Sequence, residues 1–201
     1  MTSTRPAPSL PGPQRPAAAA REVCRTAQAA ATAWAQPLGP GAHSRAVSQL
    51  YSATRDLGIA TRGLAGYTTD RPQAGPDATE YQRHASAGAR WLLDANERLD
   101  GVVAAEGIPP SSDPDDPGAA LCQAARDAIL AWRQPAGTAA DRDEAVRQLI
   151  AATRFLSAAI LGLATWAPRR LAISIQAAGA SIAESTAYLT AAIQPPEDGR
   201  Q

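Results

Sequence analysis

Two histidines, two cysteines and a few acidic pairs are the side chains of this sequence best suited to bond-making chemistry. His43 follows Gly39-Pro40-Gly41-Ala42 and His84 stands beside Arg83. Neither sits in an H-x-x-x-H, H-E-x-x-H or E-x-x-H spacing, which would set two ligands on one helix face. Both read as solvated, and no metal site is expected. The R-x4-H spacing of small helical ribonucleases is missing at both. Cys24 and Cys122 each come one residue after an apolar position, Val23 and Leu121. Without C-x-x-C chemistry or a neighbouring base they read as small semi-buried apolar groups, although a bridge between them is conceivable. Acidic neighbours occur at Asp94/Glu97 and Asp143/Glu144. A general acid–base pair needs surroundings that separate two pKa values, whereas Asp94, Glu97, Arg98 and Asp100 look like a solvated helix face with local ion pairing. There is no G-x-S-x-G elbow and no dinucleotide fingerprint after a strand. The expectation is a protein without catalysis, cofactor or metal.

All 19 basic residues are arginine, and lysine is absent. That removes the P-loop lysine, the lysine of pyridoxal Schiff bases and the strand lysine of protein kinases. The bias toward arginine and alanine is what GC-rich coding DNA produces, so it points to a bacterial source rather than to function. Arg55/Arg62, Arg83/Arg90, Arg126/Arg133 and Arg147/Arg154 are each seven apart, so each pair projects from one side of a helix. Phosphates could use such rows. Acidic residues such as Asp56, Asp94, Asp127 and Glu144 are interspersed, however, and the formal net charge is zero, unlike the strongly basic face of a nucleic-acid-binding domain. Arg55 and Arg154 both close an Ala-Thr-Arg triplet. They are expected to flank the core and bond a carbonyl or carboxylate across a helix interface.

The elements that must carry these residues are helices. Of 201 residues, 45% are hydrophobic but 48 are alanine, the strongest helix former, and only five are valine. An internal repeat organises them. Cys24, Trp34, Gln36 and Pro37 recur as Cys122, Trp132, Gln134 and Pro135 at an offset of 98. From Ala46 to Ala65, a run of identities recurs at an offset of 99, among them Leu50/Leu149, Thr54/Thr153, Arg55/Arg154, Gly63/Gly162 and Leu64/Leu163. Ordered identities with one small indel read as a tandem duplication.

Each copy parses into three helices by apolar period. The first helices place Val23, Ala27, Ala30 and Trp34, and Leu121, Ala125, Ala128 and Trp132, on one face. Pro37 and Pro135 should end them near the preceding residue. The second helices carry seams through Val47, Leu50, Thr54, Leu57, Thr61 and Leu64, and through Val146, Leu149, Thr153, Leu156, Ile160 and Leu163. The third run through Tyr81, Ala85, Gly88, Leu92, Ala95, Leu99 and Val102, and through Leu171, Ile175, Ala178, Ile182, Ser185 and Leu189. Pro168 suits the first turn of the last helix, and Asp141 with Glu144 suits the cap of the fifth. The reading is all-α: a disordered tail over 1–17, repeats over 18–106 and 118–194, an acidic Pro-rich linker over 107–117, and a polar tail over 195–201.

Alanine stripes bury little area per residue, at roughly 25 cal/mol per Å². A single copy would be marginal, and two copies packed about a pseudo-twofold axis as a six-helix bundle, or self-association, would supply the missing burial. Ile150, Phe155 and Leu161 replace Tyr51, Asp56 and Arg62, so the second copy should be the more buried half. No secretory signal is visible, and the longest apolar run, Phe155 to Ala167, is shorter than the ~20 residues that cross a bilayer. A cytoplasmic protein without membrane contact is expected. Trp34 and Trp132 read as core anchors, whereas Trp91 and Trp166 are unmatched and mark partner sites if exposed. The functional expectation is an oligomeric helical adaptor or accessory protein, contacting a protein partner or itself through Arg55, Arg154, Trp91, Trp166 and Phe155. The alternative is a nucleic-acid accessory factor of a mobile-element or transcription system, using the arginine rows.

Overall fold

The computed structural model describes residues 16–66, 76–106, 116–133 and 138–194. Six helices make up these residues: α1 (Pro16–Trp34), α2 (Pro40–Ala65), α3 (Pro76–Glu106), α4 (Pro117–Trp132), α5 (Ala139–Trp166) and α6 (Arg169–Ile193). The protein is all-helical, with no strand among the described residues.

Local chemistry sets the helix ends. Asp116 caps α4 by accepting from the Gly118 amide at 2.9 Å, and Pro117 occupies the first turn, where its missing N–H costs nothing. Thr138 and Asp141 form a reciprocal capping box on α5. The cap is therefore Thr138, with Asp141 as its return partner; Glu144 instead accepts from Gln148 and pairs with Arg147. Pro168 stands one residue before α6, and its carbonyl accepts from the amides of Leu171 and Ala172. Asp116 and Pro117, and likewise Pro16 and Ala17, belong to helix ends rather than to the linker and tail expected there; residues 1–15, 107–115 and 195–201 lie outside the described residues, as do Gln134 and Pro135.

Every seam position read from the apolar period is buried, from Val23 and Leu121 through Leu64 and Leu163 to Val102 and Leu189. These side chains join one continuous core. The threonines on the seams satisfy their hydroxyls locally, Thr54 on the Leu50 carbonyl and Thr61 on that of Leu57, so they enter the core at little cost.

Packing order is not chain order. α1 lies against α5, α5 against α6, α6 against α3, α3 against α2, α2 against α4, and α4 against α1, so the sequence of neighbours closes on itself. A lesser contact joins α2 to α5. Consequently α4 stands between α1 and α2, and α1 stands between α4 and α5. The antiparallel α1–α4 pair is fixed at both ends: Trp132 Nε1 donates to the Pro16 carbonyl at 3.1 Å, and the Trp34 ring lies over Gly118. α2 and α4 run parallel, with Gln49 Nε2 donating to Asp116 at 2.8 Å near their starts and Gly63 against the Trp132 carbonyl near their ends. At the matched place Gly162 of α5 lies against the Trp34 carbonyl. The outer helices meet as α3–α6, where Ser185 Oγ donates to the Gly88 carbonyl at 2.8 Å and Ser181 Oγ to Asp94 at 2.6 Å.

Further expectations change, beginning with the histidines: the His84 side chain is 20% exposed and its Nδ1 is buried without a hydrogen-bond partner among the described residues. His43 is buried in the first turn of α2 rather than solvated, with Nε2 at 2.9 Å from the Leu163 carbonyl of α5. The second half is not the more buried one: Ile150 enters the core and Phe155 packs partly against it, but Leu161 points outward, while α2 buries Asp56, Gln49 and Ser48 besides its seam. The apolar surplus faces out because the core side of α5 is already filled by its seam. Finally, α5 is by length and composition apolar enough to cross a bilayer, and half of its most apolar window is buried inside the fold.

Candidate interaction surface

The five residues expected to bind a partner fall on three helices. Arg55 on α2 and Arg154 on α5 are exposed. Arg55 Nε bonds the neighbouring Asp56 carboxylate at 3.1 Å within its own helix, not across an interface, and Arg154 makes no ion pair among the described residues. The crossing from another helix is made by Arg126 of α4, 3.5 Å from the other Asp56 oxygen. Trp91 on α3 is half-buried and Phe155 on α5 is packed partly against the core. Trp166 ends α5 at 50% exposure. No hydrogen bond or ion pair joins these five among the described residues.

Of the other outward apolar side chains, sequence reasoning named only Leu161, and expected it to add burial rather than exposure. Leu130 of α4 is 63% exposed, Leu161 of α5 64% and Ile173 of α6 67%; Ile59 of α2 is less exposed. α5 and α6 form an antiparallel hairpin around Ala167-Pro168, held by the Thr186–Thr153 hydroxyl bond and by Gly179 against Ile160. That register sets Trp166 and Ile173 at one level of the hairpin, with Leu161 farther from its turn. Exposed Arg169 and Arg170 follow the turn. The signal available in sequence was the replacement of Arg62 by Leu161 between matched positions, which marks a change of character on an otherwise solvated face.

Polar chemistry is confined to small clusters. Asp56 is 3% exposed, and its Oδ2 accepts no hydrogen bond, leaving the half-exposed Arg126 as its electrostatic partner. Close by, the Cys122 thiol donates to the Gln49 carbonyl at 3.2 Å, and burial pushes its pKa up to about 11. Burial also raises Cys24. Both thiols are free and protonated near neutral pH, which leaves no thiolate nucleophile. Asp94 is held below the usual carboxylate range by the Ser181 hydroxyl first and by Arg98 next. It stands at one side of a polar cleft of ≈ 630 Å³ between α2 and α3, which Arg62, Arg90, Ser86 and Glu97 also line. Arg142 stacks 4.1 Å from the Tyr81 ring, and the Tyr81 hydroxyl donates to the Leu64 carbonyl at 3.1 Å. None of the His, Cys, Asp and Glu side chains among the described residues gather in threes that could hold a metal.

Comparison of the chain with family models, with curated proteins and with solved structures returns no match.

Proposed function

We propose that the chain is a tandem duplication of a three-helix unit packed as a six-helix bundle, and that it serves as a non-catalytic cytoplasmic adaptor or accessory protein through contacts with a protein partner or with itself. The duplication is supported by like surroundings at matched positions. Gly63 faces the Trp132 carbonyl and Gly162 faces that of Trp34, while α2 packs on α3 and α4 as α5 packs on α6 and α1. The adaptor reading rests on one observation: among the described residues, four of the five large apolar side chains that stand exposed, Leu130, Leu161, Trp166 and Ile173, lie on α4 to α6. Trp166, with exposed Arg169 and Arg170 just after it, is of the residue types that anchor protein interfaces, and the outward leucines and isoleucine add exposed apolar surface around the same half of the chain.

Light scattering over a concentration series tests the reading. Self-association insensitive to salt and abolished in the Leu161→Asp, Ile173→Asp double variant is the expected outcome. DNA affinity that falls steeply with salt, and is lost in the Arg55→Ala, Arg154→Ala double variant, would replace it with the nucleic-acid reading.

A further inference from the structure

We propose that the outer face of the parallel α2–α4 pair is a docking groove for an acidic amphipathic helix of a partner protein. The inference rests on the protein-partner part of the adaptor reading, but uses a different face from the α5–α6 hairpin.

Helix period and the register of the pair place four arginines around one patch. Arg55 and Arg62 are seven residues apart on α2, and Arg126 and Arg133 are seven apart at the end of α4, so each pair spans about 10 Å along one side of its helix. Gln49 against Asp116, Asp56 against Arg126 and Gly63 against the Trp132 carbonyl fix the register. It sets Arg55 nearly level with Arg126, and Arg62 nearly level with Arg133. With helix axes about 8–10 Å apart, these four exposed arginines stand at the corners of a near-square. Exposed Ile59 of α2 and half-buried Ile129 of α4 lie level with each other between them.

The charge of this face is one-sided in a chain of zero net charge. Asp56 is the only acidic residue of α2, and it is buried. Asp127, the only one of α4, lies about 100° further round the helix from Arg126, away from α2, and accepts from Gln123. Asp56 holds an arginine from each helix, Arg55 at 3.1 Å and Arg126 at 3.5 Å, while both guanidinium groups stay half in water. Side chains ordered in advance lose less entropy on binding. Arg62 and Arg133 make no ion pair among the described residues. Packing does not require these charges. The face at the matching offsets, α5 with α1, makes the same glycine-to-carbonyl contact with Phe155, Leu161, Gln28 and Ala35 in place of Asp56, Arg62, Arg126 and Arg133.

Four cations around an aliphatic floor match a helix that carries carboxylates along both edges of an apolar stripe. A phosphate backbone would satisfy the arginines but has no use for Ile59, or for Leu130 exposed beside Arg126.

Fluorescence anisotropy with the full chain provides the test. The probe is a fluorescein-labelled peptide of about fourteen residues, four helical turns, with leucines on one stripe and glutamates on both flanks. The comparison probes are the same residues in scattered order and a labelled DNA duplex. At low salt the striped peptide is expected to bind, and the scattered one to bind about fivefold more weakly. Arg62→Glu with Arg133→Glu should weaken the striped peptide about tenfold or more. Arg169→Glu with Arg170→Glu, the same change of charge on the hairpin, should leave it within about twofold. Ile59→Ser should weaken it about threefold at unchanged charge, and this variant carries the test if the glutamate pair does not fold. No binding of the striped peptide, equal binding of both peptides, or unaltered affinity in either groove variant overturns the proposal. Duplex DNA bound more tightly than the peptide and indifferent to Ile59→Ser replaces it with a phosphate-binding face. Leu161→Asp with Ile173→Asp should leave peptide binding intact while abolishing self-association, so the two surfaces fail separately.

Discussion

Asp94 shows how a single carboxylate is tuned by one hydroxyl. Its pKa lies below the ordinary value, first because Ser181 donates to it at 2.6 Å and then because Arg98 sits 2.7 Å away. A carboxylate depressed in the folded state adds stability above its unfolded pKa, and that stability fades as pH falls through the folded pKa. Replacing Ser181 with Ala should therefore cost more at pH 7 than at pH 3, by less than about 1 kcal/mol because the site is partly solvated, measured by urea unfolding at both pH values. Asp56 is the opposite case, a buried carboxylate with one oxygen unbonded and its cations half in water. Burying charge with partial compensation contributes little net stability. Asp56→Asn is expected to shift the unfolding free energy by no more than ~1 kcal/mol, and a loss of 3 kcal/mol or more would show that the carboxylate is essential to the α2–α4 contact. Neither feature was legible in sequence. Ser181 and Asp94 are 87 positions apart, and whether a polar residue is buried depends on which distant segment covers it. His43 illustrates the same limit, since its partner is a carbonyl 120 positions away.

Among the helices, the stripes were legible and the pairings were not. Apolar period identifies the face a helix buries, which is why Leu50, Leu57, Leu149, Leu156 and their companions all lie in the core. It does not identify the partner, because alanine-rich stripes are nearly interchangeable. Sequence proximity would have set α1 on α2, whereas α1 packs on α4 and α5. Glycines record where these pairings are tightest. A Cβ on Gly162 would meet the Trp34 carbonyl at 2.8 Å, backbone against backbone. Gly162→Ala should destabilise by about 1–3 kcal/mol despite alanine's better helix propensity. Gly101 of α3 has nothing within 4 Å of that position, so Gly101→Ala should stabilise by up to ~1 kcal/mol. Thermal denaturation of the two variants gives opposite shifts if the packing is as described, and shifts of one sign if it is not.

For the molecule as a whole, closure of the helix order makes the core one structure rather than two. α1 is held by α4 and α5, α4 is held by α1 and α2, and Trp132 carries its bond to the far end of α1. Unfolding should be a single transition with tryptophan fluorescence and circular dichroism superimposing. Trp132→Ala should cost about 3–5 kcal/mol and lower that one transition rather than split it. A variant that melts in two steps would mean the halves are independent. The interleaving of α1 and α4 also bears on how the chain is made. While a ribosome is still translating the later helices, the alanines, Val23 and Trp34 of α1 have nowhere to go, since their berth is built from residues not yet synthesised. The nascent polypeptide must therefore carry an uncovered greasy helix through well over half of its elongation, a period in which chaperone occupancy should be high and after which folding should finish abruptly as α5 emerges.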